Sequence, residues 1–191
     1  AALTLPELRP DFDGIELADS VIIDPHKWLF SPFDCCALLW RDPEHARAVH
    51  TQHAGYLDFL NDHGGWNPSD FAIHLTRRAR GLPFWFSLAT YGTDAYSGAV
   101  RATVNTAEKA AAMIDEAPHL RLVWPRALSI VVFERIGWNA DDYQAWTVKA
   151  LHDGTAFVVP TIHDDKPVLR FCFVNPRTSV DDVALIIDSL A

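Results

Sequence analysis

The chain has 191 residues, 49% of them hydrophobic, a size and composition typical of a folded protein with a sizeable core. Its 16 basic and 25 acidic residues give a net charge of −9, which argues against nucleic acid or an anionic membrane surface as a partner. No stretch approaches the roughly 20 apolar residues of a membrane span, and no signal-peptide pattern opens the chain. We therefore expect neither a membrane-spanning segment nor a signal peptide.

The chain contains three cysteines, and two of them, Cys35 and Cys36, are adjacent. This number and spacing do not form a disulfide framework. Free cysteines are among the most buried residue types, so burial is the expected role. Unpaired thiols persist in a reducing compartment, and a cytoplasmic location is therefore expected.

The first predicted strand is the apolar run 21–23, which Pro25 ends. Asp24, His26 and Lys27 follow at the point where ligands often bind in α/β sheets. A partly desolvated lysine there would have a lowered pKa and would act as a nucleophile. The alternative is an exposed lysine whose stem lies on the neighbouring tryptophan.

The segment that follows alternates between regular and irregular stretches. Residues 35–40 predict a second buried strand, and Pro43 suits the first position of a short helix. Residues 50–70 carry no sustained periodicity, as in functional lids or connectors. A helix that begins near Asn67 is predicted next. It is followed by a long helix from Phe84 to near Pro118, whose apolar stripe contains Tyr96, Val100, Val104, Ala107, Ala111 and Ile114.

Beyond residue 117 the pattern changes to βαββα, which predicts a domain boundary there, with domains 1–117 and 118–191. A hairpin with strands at 156–159 and 168–174 is predicted, and Thr178 or Ser179 caps the last helix. The other expected elements are a strand at 129–134 and a helix capped by Asn139.

The residues Asp24-Pro25-His26-Lys27-Trp28, followed by Pro32-Phe33-Asp34-Cys35, resemble the cofactor-lysine motif of the pyridoxal-phosphate-dependent amino acid decarboxylases. This group includes the aromatic amino acid, tyrosine, histidine and glutamate decarboxylases. The order of elements also resembles the end of the large domain and the small C-terminal domain of the aspartate-aminotransferase-like, type I fold. The resemblance implies an α/β fold class, and an aspartate for the pyridine nitrogen that lies upstream of this chain.

The resemblance also implies roles for individual residues around pyridoxal 5′-phosphate. Lys27 would hold the cofactor aldehyde as a Schiff base, and His26 would contact the phosphate. Asp24 would lie beside the cofactor and orient the loop. Gly92 and Thr93 match a segment that reaches the phosphate of the neighbouring subunit, so a homodimer with shared sites is expected.

Tyr56 lies in the irregular stretch, where the resembling enzymes carry a mobile catalytic tyrosine. A phenol delivered by a closing loop can donate a proton and exclude water. Relatives with phenylalanine there divert the reaction to an aldehyde, so Tyr56 favours decarboxylation of an amino acid to its amine and CO₂. The alternatives are an aldehyde synthase, another lyase of the group, or an inert fragment that needs the missing half.

Four arginines are expected to have two different roles. Arg170 interrupts an apolar strand, and a buried arginine needs a carboxylate or phosphate partner. A tie between domains is the favoured role, and reading of a substrate group is the alternative. Arg77, Arg78 and Arg80 are expected to form a solvated helix face.

No metal site is expected. The spacing of His50 and His53, with Asp62 and His63 nearby, allows shared ligation, but glycines interrupt this stretch and no supporting hydrogen-bond pattern accompanies it. The sequence also lacks a nucleotide-type phosphate loop and a G-x-S-x-G elbow.

Overall fold

The computed structural model describes residues 1–53, 55 and 67–191. They form two compact units: Pro6–Gly92, and Thr93–Ala191 together with Ala1–Leu5. The units divide inside a long helix, at Gly92. The domain limits predicted at residue 117 stay a prediction.

The Pro6–Gly92 unit contains a two-stranded antiparallel sheet, with β1 at Ser20–Ile23 and β2 at Ala37–Trp40. Helix α1 spans Pro43–His50 and begins as predicted, with proline in its first turn and the Asp42 side chain accepting a hydrogen bond from the Glu44 N–H. The described part of the unit also contains three short 3₁₀ helices, at Pro6–Phe12, Ile15–Leu17 and Pro68–Phe71.

The prediction that both strands are buried is wrong for this chain. Ile22 is 68% exposed, Leu38 45% and Leu39 54%. Within the described residues, β1 and β2 pair only with each other. A two-stranded sheet buries little by itself and needs further strands or a covering layer. The part of the chain that the structure describes therefore does not bury the apolar side chains of these strands.

Helix α2, Gly81–Glu116, connects the two units and is interrupted at Gly92, where φ is 77° and ψ is 163°. Its later part presents the predicted apolar stripe, in which Val100, Ala107 and Ile114 are all fully buried. No helix in the described part of the chain has the length and apolar character needed to span a bilayer.

The second unit contains four strands: β3 at Leu120–Leu122, β4 at Ile130–Arg135, β5 at Thr161–His163 and β6 at Lys166–Cys172. They form an antiparallel sheet in the order β3-β4-β6-β5. Helices α3, Ala140–His152, and α4, Val180–Asp188, complete it. Both helices begin with capping boxes, on Asn139 and on Ser179, which resolves the choice between Thr178 and Ser179.

The predicted hairpin is present, but its first strand lies later than 156–159. The strand β5 begins after Pro160, and the register pairs His163 with Lys166 around Asp164 and Asp165. Both aspartates have positive φ, 46° and 61°, as a tight hairpin turn requires. Because proline has no N–H to donate, the ladder does not extend back through residue 160.

The main core lies in this second unit. Phe133 of β4 and Phe171 of β6 pack with their ring centroids 4.7 Å apart, and the Tyr143 hydroxyl accepts a hydrogen bond from the Arg135 N–H at 2.8 Å. Residues from α2, the sheet, α3 and α4 share this cluster. The buried members include Ala107, Ala110, Ile114, Leu120, Val131, Trp146, Leu169, Val183, Ile187 and Leu190.

We expect Leu169→Ala to lower the free energy of unfolding by about 2–5 kcal/mol, because Leu169 is fully buried and truncation leaves a cavity. Leu151→Ala is the matched control: Leu151 is 55% exposed on α3, and its loss should change stability by less than about 0.5 kcal/mol. Urea denaturation measures both. Equal losses would contradict the assignment of this core.

Candidate active site

A tight turn at the end of β1 positions the predicted cofactor lysine. The Lys27 N–H donates to the Asp24 carbonyl at 3.0 Å, and the Ser31 N–H donates to the Pro25 carbonyl at 3.0 Å. Pro25 is buried and ends the strand. The turn fixes the backbone on both sides of Lys27, while the lysine side chain is 65% exposed.

The Lys27 amine forms an ion pair with the carboxylate of Asp24, with Nζ 2.6 Å from Oδ2. The hydrogen bond from Asp24 raises the pKa of Lys27, and the same bond lowers the pKa of Asp24. The expectation of a lysine pKa lowered by desolvation is therefore wrong for this chain. The pairing with a carboxylate outweighs the small desolvation of a mostly exposed amine.

Cys36 is a neighbour of this pair that the sequence interpretation did not include. Ile23 is opposite Ala37 in the antiparallel register, so the next pair along the ladder brings Asp24 opposite Cys36. Desolvation and the adjacent carboxyl of Asp24 raise the pKa of the Cys36 thiol. The thiol is therefore a protonated neighbour of the ion pair, and only knowledge of the strand register identifies it.

The His26 ring is held by the loop that follows Lys27. Its Nδ1 lies against the backbone of Cys35, accepting from the N–H at 3.2 Å and also contacting the carbonyl oxygen. Phe33 packs edge-on against the ring, with centroids 5.0 Å apart. These contacts fix the ring orientation through one nitrogen, and Nε2 is the ring nitrogen available to a ligand.

Asp34 binds two of the three clustered arginines. Arg80 Nε donates to Asp34 Oδ2 at 3.0 Å, and Arg78 Nη2 contacts Oδ1. The hydrogen bond from Arg80 is the main cause of a lowered pKa for Asp34, and the charges of both arginines lower it further. Arg77 instead donates to the carbonyl of Pro68.

The prediction of a solvated helix face for these arginines is wrong. The helix that begins after Asn67 is a 3₁₀ helix limited to Pro68–Phe71, and the arginines lie in an irregular segment before α2. A partner 44 residues away in sequence, Asp34, accounts for the placement of Arg78. Local charge spacing contains no information about such a distant partner.

Gly92 and Thr93 lie where the helical backbone of α2 is broken, and both are exposed. The combination of φ 77° and ψ 163° is accessible essentially only to glycine. The helix resumes at Thr93, so the backbone N–H groups after the break form a new helix N-terminus, which favours anions.

Two other residues singled out in the sequence are Tyr56 and Arg170. Tyr56 lies outside the described residues. Arg170 of β6 is exposed, and the expectation of a buried arginine with an acidic partner is wrong. It lies on the sheet face opposite Phe171, whose side chain packs in the core, because successive side chains of a strand point to opposite faces.

The pyridoxal-dependent decarboxylase conserved domain matches residues 1–136 of the chain. The chain belongs to this pyridoxal-dependent decarboxylase family. It is 31% identical over 182 residues to an aromatic-L-amino-acid decarboxylase of Bacillus atrophaeus, which covers 91% of this chain and 38% of the relative. It is also 31% identical over 183 residues to a histidine decarboxylase of Drosophila melanogaster, covering 96% of this chain and 22% of that protein.

Solved structures confirm the α/β, type I fold of the family. The crystal structure of Oryza sativa TDC with PLP and tryptamine superposes with a TM-score of 0.84 at 26% identity, over 97% of this chain and 40% of that one. Rhodiola rosea 4-hydroxyphenylacetaldehyde synthase gives a TM-score of 0.80 at 22% identity, over 97% and 38%, and this likeness concerns the fold alone. The chain thus spans about two fifths of each structure.

The residues around Lys27 fit a pyridoxal phosphate aldehyde and phosphate. A primary amine reacts only if it is reachable, and the Lys27 side chain is 65% exposed at the end of a rigid turn. His26 keeps one ring nitrogen available for an anionic oxygen, since Nδ1 is used by the Cys35 backbone. Among the described residues, no group of three or more metal-ligating side chains is close enough to hold a metal ion.

Asp24→Asn should lower the pKa of Lys27, since the hydrogen bond and charge that raise it are lost. More of the amine is then unprotonated at a given pH, and reductive methylation of Lys27, followed by peptide mass mapping, should become faster at mildly alkaline pH. Asp153→Asn is the control, because it breaks a comparable ion pair with Lys149 on α3. A Lys27 rate that is unchanged in Asp24→Asn would contradict the pairing.

Proposed function

We propose that the complete protein is a pyridoxal-phosphate-dependent carboxy-lyase that converts an amino acid to its amine and CO₂. The observation that carries the proposal is the exposed Lys27 amine, 2.6 Å from a carboxylate and fixed by a turn at a strand end. This turn lies within residues 1–136, which match the family domain. Curated relatives that act on aromatic amino acids and on histidine support the reaction class.

In this proposal, different residues of the turn hold different parts of the cofactor. Pyridoxal phosphate, when bound, supplies the electron sink that accepts the electrons of the broken carboxylate bond. Lys27 supplies the amine that holds the aldehyde covalently. Asp24 orients that amine through the 2.6 Å contact and stabilises its protonated form, so the amine would have to lose a proton before it attacks the aldehyde. His26, with its ring fixed by Cys35, directs Nε2 to the phosphate.

The carboxylate of Asp24 is compatible with a phosphate nearby only because it is paired. Two anionic groups side by side repel each other, and the repulsion is reduced when one of them has a counter-ion. The positively charged nitrogen of Lys27 is that counter-ion. Orientation of Lys27, and not direct contact with the phosphate, is therefore the proposed role of Asp24.

We propose that the enzyme is a homodimer whose sites are shared. Support comes from the break in α2, where Gly92 and Thr93 are exposed and a new helix N-terminus begins. Helix N-termini bind phosphates through free N–H groups. In this proposal the two residues contribute to the phosphate site of the partner subunit.

We also propose a cytoplasmic location. All three cysteines, Cys35, Cys36 and Cys172, are free thiols, and two of them are exposed. Exposed free thiols favour a reducing environment because oxidising compartments convert them to disulfides or oxidised forms.

Borohydride reduction in the presence of pyridoxal phosphate should attach a pyridoxyl group to Lys27, detectable by peptide mass mapping. Lys27→Arg retains the positive charge but has no reactive amine, and this variant should lose both the label and decarboxylase activity. Label scattered equally over several lysines of the wild-type protein would contradict a formed site.

Tyr56→Phe tests the proposed reaction outcome. Loss of a general acid typically lowers a rate by 10²- to 10⁴-fold, so we expect amine formation to fall by roughly this factor. Assays of amine, CO₂ and aldehyde with a panel of amino acids measure the result. Amine formation at the wild-type rate would remove Tyr56 from the mechanism, and aldehyde as the main wild-type product would favour an aldehyde synthase.

A further inference from the structure

Asp34 connects two parts of the chain that are far apart in sequence. Its carboxylate is 31% exposed and is shared by Arg80, 33% exposed, and Arg78, 73% exposed. Each arginine binds a different carboxylate oxygen. Charge-assisted hydrogen bonds of this kind are stronger and more directional than neutral ones.

The position of Asp34 beside Cys35 makes this pairing relevant to the candidate site. The Cys35 backbone holds the His26 ring through Nδ1, and His26 is the residue before Lys27. A displacement of Asp34 therefore moves the peptide that fixes the histidine. Cys35 itself is buried, so the displacement is not absorbed by a loosely held side chain.

Asp34 and its two arginines form a clamp, and the arginine residues of this clamp lie directly before α2. Arg80 precedes Gly81, the first residue of that helix, and Gly92 interrupts the same helix. The Arg80 N–H also donates to the Arg78 carbonyl at 2.8 Å, which makes the segment a tight turn. One carboxylate thus ties the loop of His26 and Lys27 to the beginning of the helix that carries Gly92.

Of the two arginines, Arg80 contributes more to the clamp. It is the less exposed of the two, so its ion pair with Asp34 is less weakened by solvent. The guanidinium of Arg78 adds charge from a mostly solvated position. Lysine in place of Arg80 keeps the charge but loses the planar donor geometry.

We propose that Asp34 is a positioning residue for the cofactor site, which orients His26 by clamping the lysine loop to the arginine turn before α2. This inference rests on the proposed function, because it assumes that the turn around Lys27 receives pyridoxal phosphate. Asp34 acts through Cys35 and His26 and does not touch the cofactor.

The test compares Asp34→Asn with the wild type in the complete protein. Three quantities are measured: the apparent Kd for pyridoxal phosphate, the absorbance band of the bound cofactor, and the thermal midpoint of the cofactor-free protein. We expect a Kd raised roughly three- to tenfold, which lies in the lower part of the range of measured couplings between contacting residues. We also expect a shifted band and partial recovery in Asp34→Glu.

Arg80→Gln should reproduce the effect, and Asp34→Asn should then add little, because both changes remove the same interaction. Arg77→Gln is the matched arginine control, since Arg77 binds the Pro68 carbonyl and not Asp34. Asp153→Asn is the matched carboxylate control, in a separate ion pair on α3. Both controls should keep the wild-type Kd within about twofold.

The outcomes separate this inference from the proposed function. A wild-type protein that binds pyridoxal phosphate and labels Lys27, with an Asp34→Asn variant of unchanged Kd and absorbance, would overturn the positioning role alone. A wild-type protein that never labels Lys27 would overturn both. If Asp34→Asn does not fold, Arg80→Lys and Arg80→Gln decide, and unchanged Kd values in both would count against the clamp.

Discussion

The ion pair between Lys27 and Asp24 is the interaction on which the rest of the candidate site depends. A lysine on a four-carbon stem samples many rotamers, and a reactive amine must have a defined position to meet an aldehyde. The 2.6 Å contact restricts the amine, while the turn closed by Ser31 and Pro25 restricts the backbone. The cost is a raised lysine pKa, so the same carboxylate that orients the amine also retains its proton.

Charged contacts have unusual weight in the described part of the Pro6–Gly92 unit, because few of the apolar side chains described there are buried. The main hydrophobic cluster lies in the other unit, and residues such as Ile22 and Leu39 are largely exposed. Where apolar burial is scarce, individual charge-assisted bonds determine a larger share of local geometry. Arg47 and the buried Asp70 form a second such contact, which joins α1 to the 3₁₀ helix at Pro68–Phe71.

Sequence reasoning predicted the features that depend on local patterns. The stripe on α2, the caps at Asn139 and Ser179 and the hairpin turn are encoded by spacing and turn chemistry within about ten residues. It failed at the Arg78 contact with Asp34, because that partner lies 44 residues away. It also failed at the pKa of Lys27, where the neighbouring Asp24 and not desolvation determines the direction of the shift. The exposed Arg170 was missed because one strand of alternating side chains has both a core face and an open face.

Glycine is required at position 92 by the backbone conformation and not by close packing. A Cβ added there meets no atom within 4 Å in the described structure, so close packing does not require glycine. The requirement comes from the φ of 77° and ψ of 163°, which other residues adopt only at a cost of about 1–3 kcal/mol. A continuous helix would need no residue in that region of φ/ψ space. Because any residue other than glycine would strain the backbone at this point, the break in α2 depends on the backbone freedom of Gly92 and not on the space around it.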